Sequence, residues 1–265
     1  MSSIKDMFSL IGKTIVITGG AGHLGHAMSE ALAAFGADLF ILGHDKEKND
    51  SFAQLLQGRY SKKTCQALQY DLDDDSSVKS VIHQIIAHTG KIDVLINNAV
   101  YSCSKPLHEY AFYEWQKGIE GTINGVFRMT RQVLPIMMGQ KYGNIINIGS
   151  MYGMVAPNME IYGDSGENNP ANYGVGKAGI IQLTKYVACT YANYGIRANA
   201  ISPGAFPNAE VQSNKRFIGA LCNKIPLGCV GQPEDLQGII VYLASDASQY
   251  TTGQNIAVDG GWTAW

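Results

Sequence analysis

Apolar residues along this chain fall into two spacings that alternate from end to end. Short continuous runs, rich in β-branched residues, occupy 14–18, 38–42, 65–70, 92–97, 144–148, 196–201 and 254–258. Continuity rather than alternation predicts strands covered on both faces, as in a parallel sheet. Between the runs the apolar positions return at helical spacing. Leu24, Met28, Ala31, Leu32 and Phe35 form one stripe, and Ile180, Leu183, Val187 and Tyr191 form another. Strand–helix alternation of this kind predicts an α/β fold, a doubly wound parallel sheet of about seven strands with helices on both faces. No linker, low-complexity tract or internal repeat interrupts the pattern, so residues 1–265 are read as a single domain.

Composition narrows the function classes. With 46% apolar and 16% charged residues the chain has a globular balance. A formal charge of −2 supplies no field to attract nucleic acid or an anionic membrane surface, so neither is expected as a partner. Cys65, Cys103, Cys189, Cys222 and Cys229 are scattered without CxxC spacing and read as reduced thiols, not as a zinc site or a disulfide set; no metal site is expected. The opening MSSIKDMFSLIGK has too short an apolar run for a signal peptide or a membrane helix, and a cytoplasmic location is the expectation.

In a doubly wound sheet, ligands bind beyond the carboxyl ends of the strands, so the residues after each apolar run carry the chemistry. The first run leads into Thr18, Gly19, Gly20, Ala21, Gly22, His23, Leu24 and Gly25, and then into the first helical stripe. Gly20, Gly22 and Gly25 satisfy GxGxxG, which lets backbone approach a pyrophosphate at a helix N-terminus. A tight turn with no ligand is the bland alternative. After the second run, where an acid would hold a ribose 2′-hydroxyl, Gly43 stands instead, followed by His44, Asp45 and Lys46. His44 can meet a 2′-phosphate, Asp45 can still take a hydroxyl, and Lys46 reads as solvated. A weak preference for NADP(H) over NAD(H) follows. Asp71 and Leu72 after the third run, and Asn98 and Ala99 after the fourth, lie on the expected cofactor path, although Asp and Asn also suit turns for their own sake.

Tyr173 and Lys177 are four apart on a predicted helix and share a face. A cation beside a phenol favours the phenolate and moves it toward the range where it can exchange protons. Ser150 follows the fifth run, facing the same crevice, where its hydroxyl can bind an oxygen that gathers negative charge. Each of these alone is a common pattern.

Taken in order, the motifs resemble the short-chain dehydrogenase/reductase family, whose members have a Rossmann fold. The likeness runs through TGGAGHLG at 18–25, YD at 70–71, NNA at 97–99, IGS at 148–150, YGVGK at 173–177, NAISPG at 199–204 and TGQNIAVDGGW at 252–262. It is nearest to the compact type that includes sugar and gluconate dehydrogenases. The resemblance implies a hydride transfer between a nicotinamide cofactor and a carbonyl/alcohol pair, with Tyr173 as acid–base residue. It implies that Lys177 binds the nicotinamide ribose and lowers the Tyr173 pKa, and that Ser150 positions the carbonyl. Pro203 and Gly204 would begin a substrate loop running to about 226, and homotetramers or dimers would be the assembly.

Three departures from the family pattern shape the expectations. His23 stands where compact members usually have glycine, and TGxxGxxG is closer to extended members that act on nucleotide sugars; an epimerase or dehydratase is therefore an alternative. Thr122 occupies the position of the family's active-site Asn, which makes it a candidate relay residue and makes a catalytically impaired nucleotide-binding protein a further alternative. Restoring Asn at 122 is expected to preserve or raise activity, and Asn124 would substitute only if the helix rotated locally. Ser150 and Tyr173 are 23 positions apart, which implies an insertion of roughly ten residues within 156–172. Its polar run (Asp164, Ser165, Glu167, Asn168 and Asn169 among others) is either a surface flap or a polar wall of the substrate pocket. The leading expectation is an oxidoreductase for a sugar, polyol or sugar acid.

Overall fold

A computed structural model describes residues 3–60, 64–163 and 168–265. The apolar runs become β1 (Thr14–Thr18), β2 (Asp38–Gly43), β3 (Cys65–Gln69), β4 (Val94–Asn97), β5 (Gly143–Ile148), β6 (Ile196–Pro203) and β7 (Asn255–Val258). They form one parallel sheet in the order β3-β2-β1-β4-β5-β6-β7. The order reverses between β1 and β4, and the crevice beyond that reversal is where such sheets take ligands.

Each strand feeds two cores because successive side chains point to opposite faces. Ile15, Ile17, Leu39 and Ile41 pack with α1 (His23–Ala34), α2 (Lys46–Arg59) and α9 (Gln237–Ala244). Val16, Phe40 and Leu42 pack on the other face with α3 (Asp75–Thr89), α5 (Gly125–Gln140) and α6 (Ala171–Tyr191). Burial on both sides is why the strands read as unbroken apolar runs. The fourth strand starts later than its apolar run because the backbone N–H and C=O of Ile92 pair with the Gln140 side chain, at 2.9 Å each, and not with a neighbouring strand.

A third, smaller core lies over the carboxyl end of the sheet. Met151, Ile161, Tyr162, Phe217, Leu221, Ile225 and Trp262 are buried together. Phe217 and Leu221 lie on α8 (Lys215–Cys222), which follows the short α7 (Ala209–Ser213) within the loop after β6. The insertion thus contributes Ile161 and Tyr162 to the cap over the crevice. Each such side chain stabilises that cap by about 1.5–3 kcal/mol through burial. Asp164, Ser165, Gly166 and Glu167 of its polar run lie outside the described residues.

Candidate active site

The residues at or just after the ends of β1 to β6 line one cleft of about 650 Å³. Of the residues singled out from sequence, Gly19, Gly22, His23, Leu24, His44, Asp71, Leu72, Asn98, Ala99, Ser150, Tyr173, Lys177, Pro203 and Gly204 line it. Thr18, Gly20, Gly25 and Thr122 do not.

The glycine turn is built from behind by three of those absentees. Gly19 adopts φ +62°, the left-handed region that favours glycine. A Cβ on Gly25 would lie 2.1 Å from the Gly19 carbonyl oxygen, so any side chain there would push the turn off the helix. Ser29 Oγ donates to the Gly20 carbonyl at 3.0 Å. Thr18 Oγ1 accepts from the Asn98 and Ala99 amides at 2.9 and 3.0 Å, and Asn98 Nδ2 donates to the Thr18 and Gly19 carbonyls at 3.0 Å. The turn and the end of β4 are therefore one rigid unit. The N-terminus of α1 receives no side-chain cap, because Gly22 stands at the capping position. Its first amides face the cleft with the positive end of the helix dipole behind them. His23 reaches across the cleft mouth, its Nε2 lying 3.1 Å from the Phe206 carbonyl in the substrate loop.

At the other end of the cleft, α6 presents Tyr173 in its first turn and Lys177 one turn later. Lys177 is 3% exposed, and its Nζ donates to the Ile148 carbonyl at 2.6 Å and lies 5.5 Å from the Tyr173 ring centroid. Burial without a carboxylate partner pulls its pKa down to about 7. Burial also holds the Tyr173 phenol above its ordinary range, while a hydrogen bond with Ser150 works in the opposite direction. Ser150 is extended and buried, and its Oγ accepts from the Tyr152 amide at 3.1 Å. Two hydroxyls thus meet with a buried amine beside them, which is a site able to bind a carbonyl oxygen and deliver a proton to it.

Thr122 takes a different place from the one expected. It sits in a π-helical turn, Glu120–Asn124, between α4 (Phe112–Ile119) and α5. Its Oγ1 donates to the Gly118 and Ile119 carbonyls at 2.8 and 3.2 Å. The hydroxyl proton is given to carbonyls of its own helix, and Thr122 does not line the cleft. A Cβ on Gly176 would lie 2.0 Å from Thr122 Oγ1, and a Cβ on Gly118 would lie 2.1 Å from Asn172 Nδ2. Each helix therefore seats a polar side chain on a glycine of the other, and this double seat fixes the register that aims Tyr173 and Lys177. A carboxamide at 122 is no larger than the threonine side chain but reaches further toward Gly176, so the closeness of this seat sets the outcome of that substitution. Asn124 is engaged with Glu120, which in turn pairs with Arg128.

Asn168 and Asn169 line a separate hollow of about 530 Å³ with Leu107, Met154, Val155 and Met159, not the cleft. Met151 packs beneath the insertion, and the Tyr152 and Tyr162 hydroxyls are 2.8 Å apart. Asp45 caps α2 by accepting from the Lys48 amide at 3.0 Å, and Lys46 pairs with Asp50 at the surface. Gly43, where the expected acid is missing, lines the cleft as well, and so do Tyr70, Val100, Tyr101, Ile148, Gly149 and Phe206, which the strand-end motifs did not single out as site residues. Val100 and Tyr101 follow Asn98 and Ala99 directly, so the same strand-end placement brings them to the cleft.

Observations of the cleft decide whether a dinucleotide fits. Its volume lies in the range of cofactor sites, about 300–1,000 Å³. His23 and Leu24, which open α1 without a side-chain cap, line it, and a buried amine stands at the far end. Among the described residues, no group of three His, Cys, Asp or Glu side chains is placed to hold a metal ion, and no helix is long and apolar enough to cross a membrane.

Comparison with known proteins gives a consistent neighbourhood. A family model described as enoyl-(acyl carrier protein) reductase matches residues 19–263. The chain is 36% identical over 254 residues to a 3-oxoacyl-[acyl-carrier-protein] reductase of Thermotoga maritima, covering 95% of this chain and 98% of that protein. It is 34% identical over 269 residues to a sorbose reductase of Candida albicans, covering 99% and 91%. Among solved structures it is similar to a gluconate 5-dehydrogenase from Burkholderia cenocepacia in complex with NADP and tartrate, with 30% identity, a TM-score of 0.88 and coverage of 98% and 99%.

Proposed function

We infer a substrate class from the premise that this chain belongs to the short-chain dehydrogenase/reductase family and is an NAD(P)-dependent oxidoreductase. The proposed reaction interconverts a ketone and a secondary alcohol on a sugar, polyol or sugar acid. The observation that carries the chemistry is that Ser150 and Tyr173 line one cleft with Lys177, which is buried with its Nζ 5.5 Å from the Tyr173 ring centroid.

The cofactor supplies or takes the hydride when bound. The amides at the start of α1 and the turn 18–25 would hold its pyrophosphate, Asp71 and Leu72 its adenine, and Asn98, Ala99, Pro203 and Gly204 the path toward the nicotinamide. Lys177 would hold the nicotinamide ribose. A weak preference for NADP(H) follows from Gly43 at the cleft, where an acid would repel a 2′-phosphate. On the protein's side, Ser150 and Tyr173 orient the carbonyl oxygen, and Tyr173 gives it a proton as charge gathers there. Lys177, when charged, stabilises the phenolate left behind.

The substrate class rests on similarity to proteins named for sorbose and gluconate. A 3-oxoacyl thioester is the second reading, favoured by the Thermotoga maritima relative and by the apolar Val100 and Phe206 in the cleft. Following nicotinamide absorbance with ketoses, polyols, sugar acids and a 3-oxoacyl thioester separates the two. Turnover confined to the thioester would remove the sugar reading. Tyr173→Phe should abolish turnover while cofactor still binds; wild-type activity in that variant would remove the mechanism.

A further inference from the structure

His23 opens α1 and is exposed, and Phe206 lies in the loop after β6; both line the cleft. The imidazole spans the gap between them, its Nε2–H donating to the Phe206 carbonyl at 3.1 Å. The neutral Nε2–H tautomer and the imidazolium both serve as that donor. The carbonyl is held in place from the loop side. The Gly204 amide donates to the Val258 carbonyl at 2.9 Å, and the Gly231 amide to the Ala205 carbonyl at 2.9 Å. The Phe206 ring rests on Gly231, where a Cβ would lie 2.6 Å from its Cζ. Beyond Phe206 the loop bonds to itself: the Pro207 carbonyl accepts from Gln212 Nε2 at 3.0 Å, and Asn208 Oδ1 accepts from the Val211 amide at 2.9 Å. The bond from His23 therefore ties the glycine turn to a loop anchored on β7 and Gly231. With glycine at 23, no side chain would span that gap.

We propose that His23 is a clasp that governs how fast the dinucleotide enters and leaves the cleft, without adding to how tightly it is held. The proposal rests on the reading that the diphosphate lies at the start of α1 and the nicotinamide end at Gly204. A dinucleotide so held lies between the two banks that the His23–Phe206 bond joins. The bond opens for it to pass and forms again once it is seated, as a lid does. Because the same bond closes the empty and the filled cleft, it shifts no binding equilibrium and slows both rates alike. That separates a clasp from a side chain that touches the diphosphate, whose loss would raise the release rate alone and weaken binding. One exposed hydrogen bond favours the closed form modestly, by about three- to tenfold.

Stopped-flow nicotinamide fluorescence with NADH and with NADPH reads kon and koff for the wild type, His23→Ala and His23→Gln. His23→Ala removes the donor at an exposed position; glutamine returns an N–H close to where the imidazole Nε2 stands. His23→Ala should raise kon and koff together by about three- to tenfold and leave Kd within about twofold. His23→Gln should bring both rates back toward the wild type. A rise in koff alone, with Kd weakened to match, makes His23 a diphosphate contact and overturns the clasp. Wild-type rates in His23→Ala overturn it as well. Rates in His23→Gln as fast as those of His23→Ala remove the hydrogen bond as the cause, and the proposal with it. A wild type that binds neither coenzyme removes the dinucleotide reading on which the clasp rests.

Discussion

Lys177 is held in the fold at a cost, and replacing it with Met should make the protein more stable and inactive. Its pKa falls from an ordinary 10.5 to about 7 through burial. At about 1.4 kcal/mol per pH unit, that lowering corresponds to about 5 kcal/mol of penalty for the charged form. Lys177→Met also removes the donor to the Ile148 carbonyl, a loss of about 1–3 kcal/mol. The net expectation at pH 6 is a gain of about 2–4 kcal/mol. The pH dependence supplies the sign. Below pH 7 the lysine is charged in both folded and unfolded chains, and the penalty is fully present. Between pH 7 and 10.5 the unfolded chain binds the proton and the folded chain does not, so wild-type stability rises with pH relative to the variant. Above 10.5 the penalty is gone and the variant should be the less stable of the two. Guanidinium unfolding of both proteins at pH 6, 8 and 10 reads the effect, while turnover should fall by about two orders of magnitude or more. A variant less stable at pH 6, or a stability difference that is flat with pH, would refute the reasoning.

Ser150→Ala should lower kcat by about two orders of magnitude with little change in cofactor affinity, the scale of losing one oxyanion donor; a loss under tenfold in steady-state assays would place the carbonyl elsewhere. Thr122→Asn should destabilise by about 1–3 kcal/mol through overpacking against Gly176 and lower kcat through the register of α6, as denaturation midpoints and kinetics would show; unchanged stability would mean that the seat has slack. Ile161→Ala should cost about 2–4 kcal/mol as a core truncation and raise KM for substrate without moving the cofactor Kd. An effect on cofactor affinity alone would detach the insertion from the substrate side.

The order of strands and helices was legible because burial on both faces leaves an unbroken apolar signature, visible at β1, β2 and β5. Ser150, Tyr173 and Lys177 were legible because their spacing and strand-end placement are local properties of the chain. What escaped has a common physical origin: polar side chains used against backbone or against other helices. Asn49 and Asn172 carry no local signal that marks them for burial, yet both are buried where a neighbouring glycine makes room. Thr122 reads as a candidate relay residue, and its hydroxyl donates to a helix carbonyl four residues earlier, as threonine often permits. Ile161 and Tyr162 lie in an insertion whose polar run reads as a flap or a polar wall. Their partners, Phe217, Leu221 and Trp262, are some 50 to 100 positions away, a distance no local pattern spans.

The double seat between α4, the π-helical turn and α6 also constrains how this sequence can drift. A side chain larger than hydrogen at 118 is blocked while 172 carries Asn, and one at 176 is blocked while 122 carries Thr. A one-at-a-time scan would score 118 and 176 as intolerant of any side chain. Exchanges made in pairs, such as Gly118→Asn with Asn172→Gly, conserve the summed side-chain volume and open routes that single steps close. Positions 118 with 172 and 122 with 176 therefore behave as two inherited units, and a library aimed at the catalytic helix should vary them jointly.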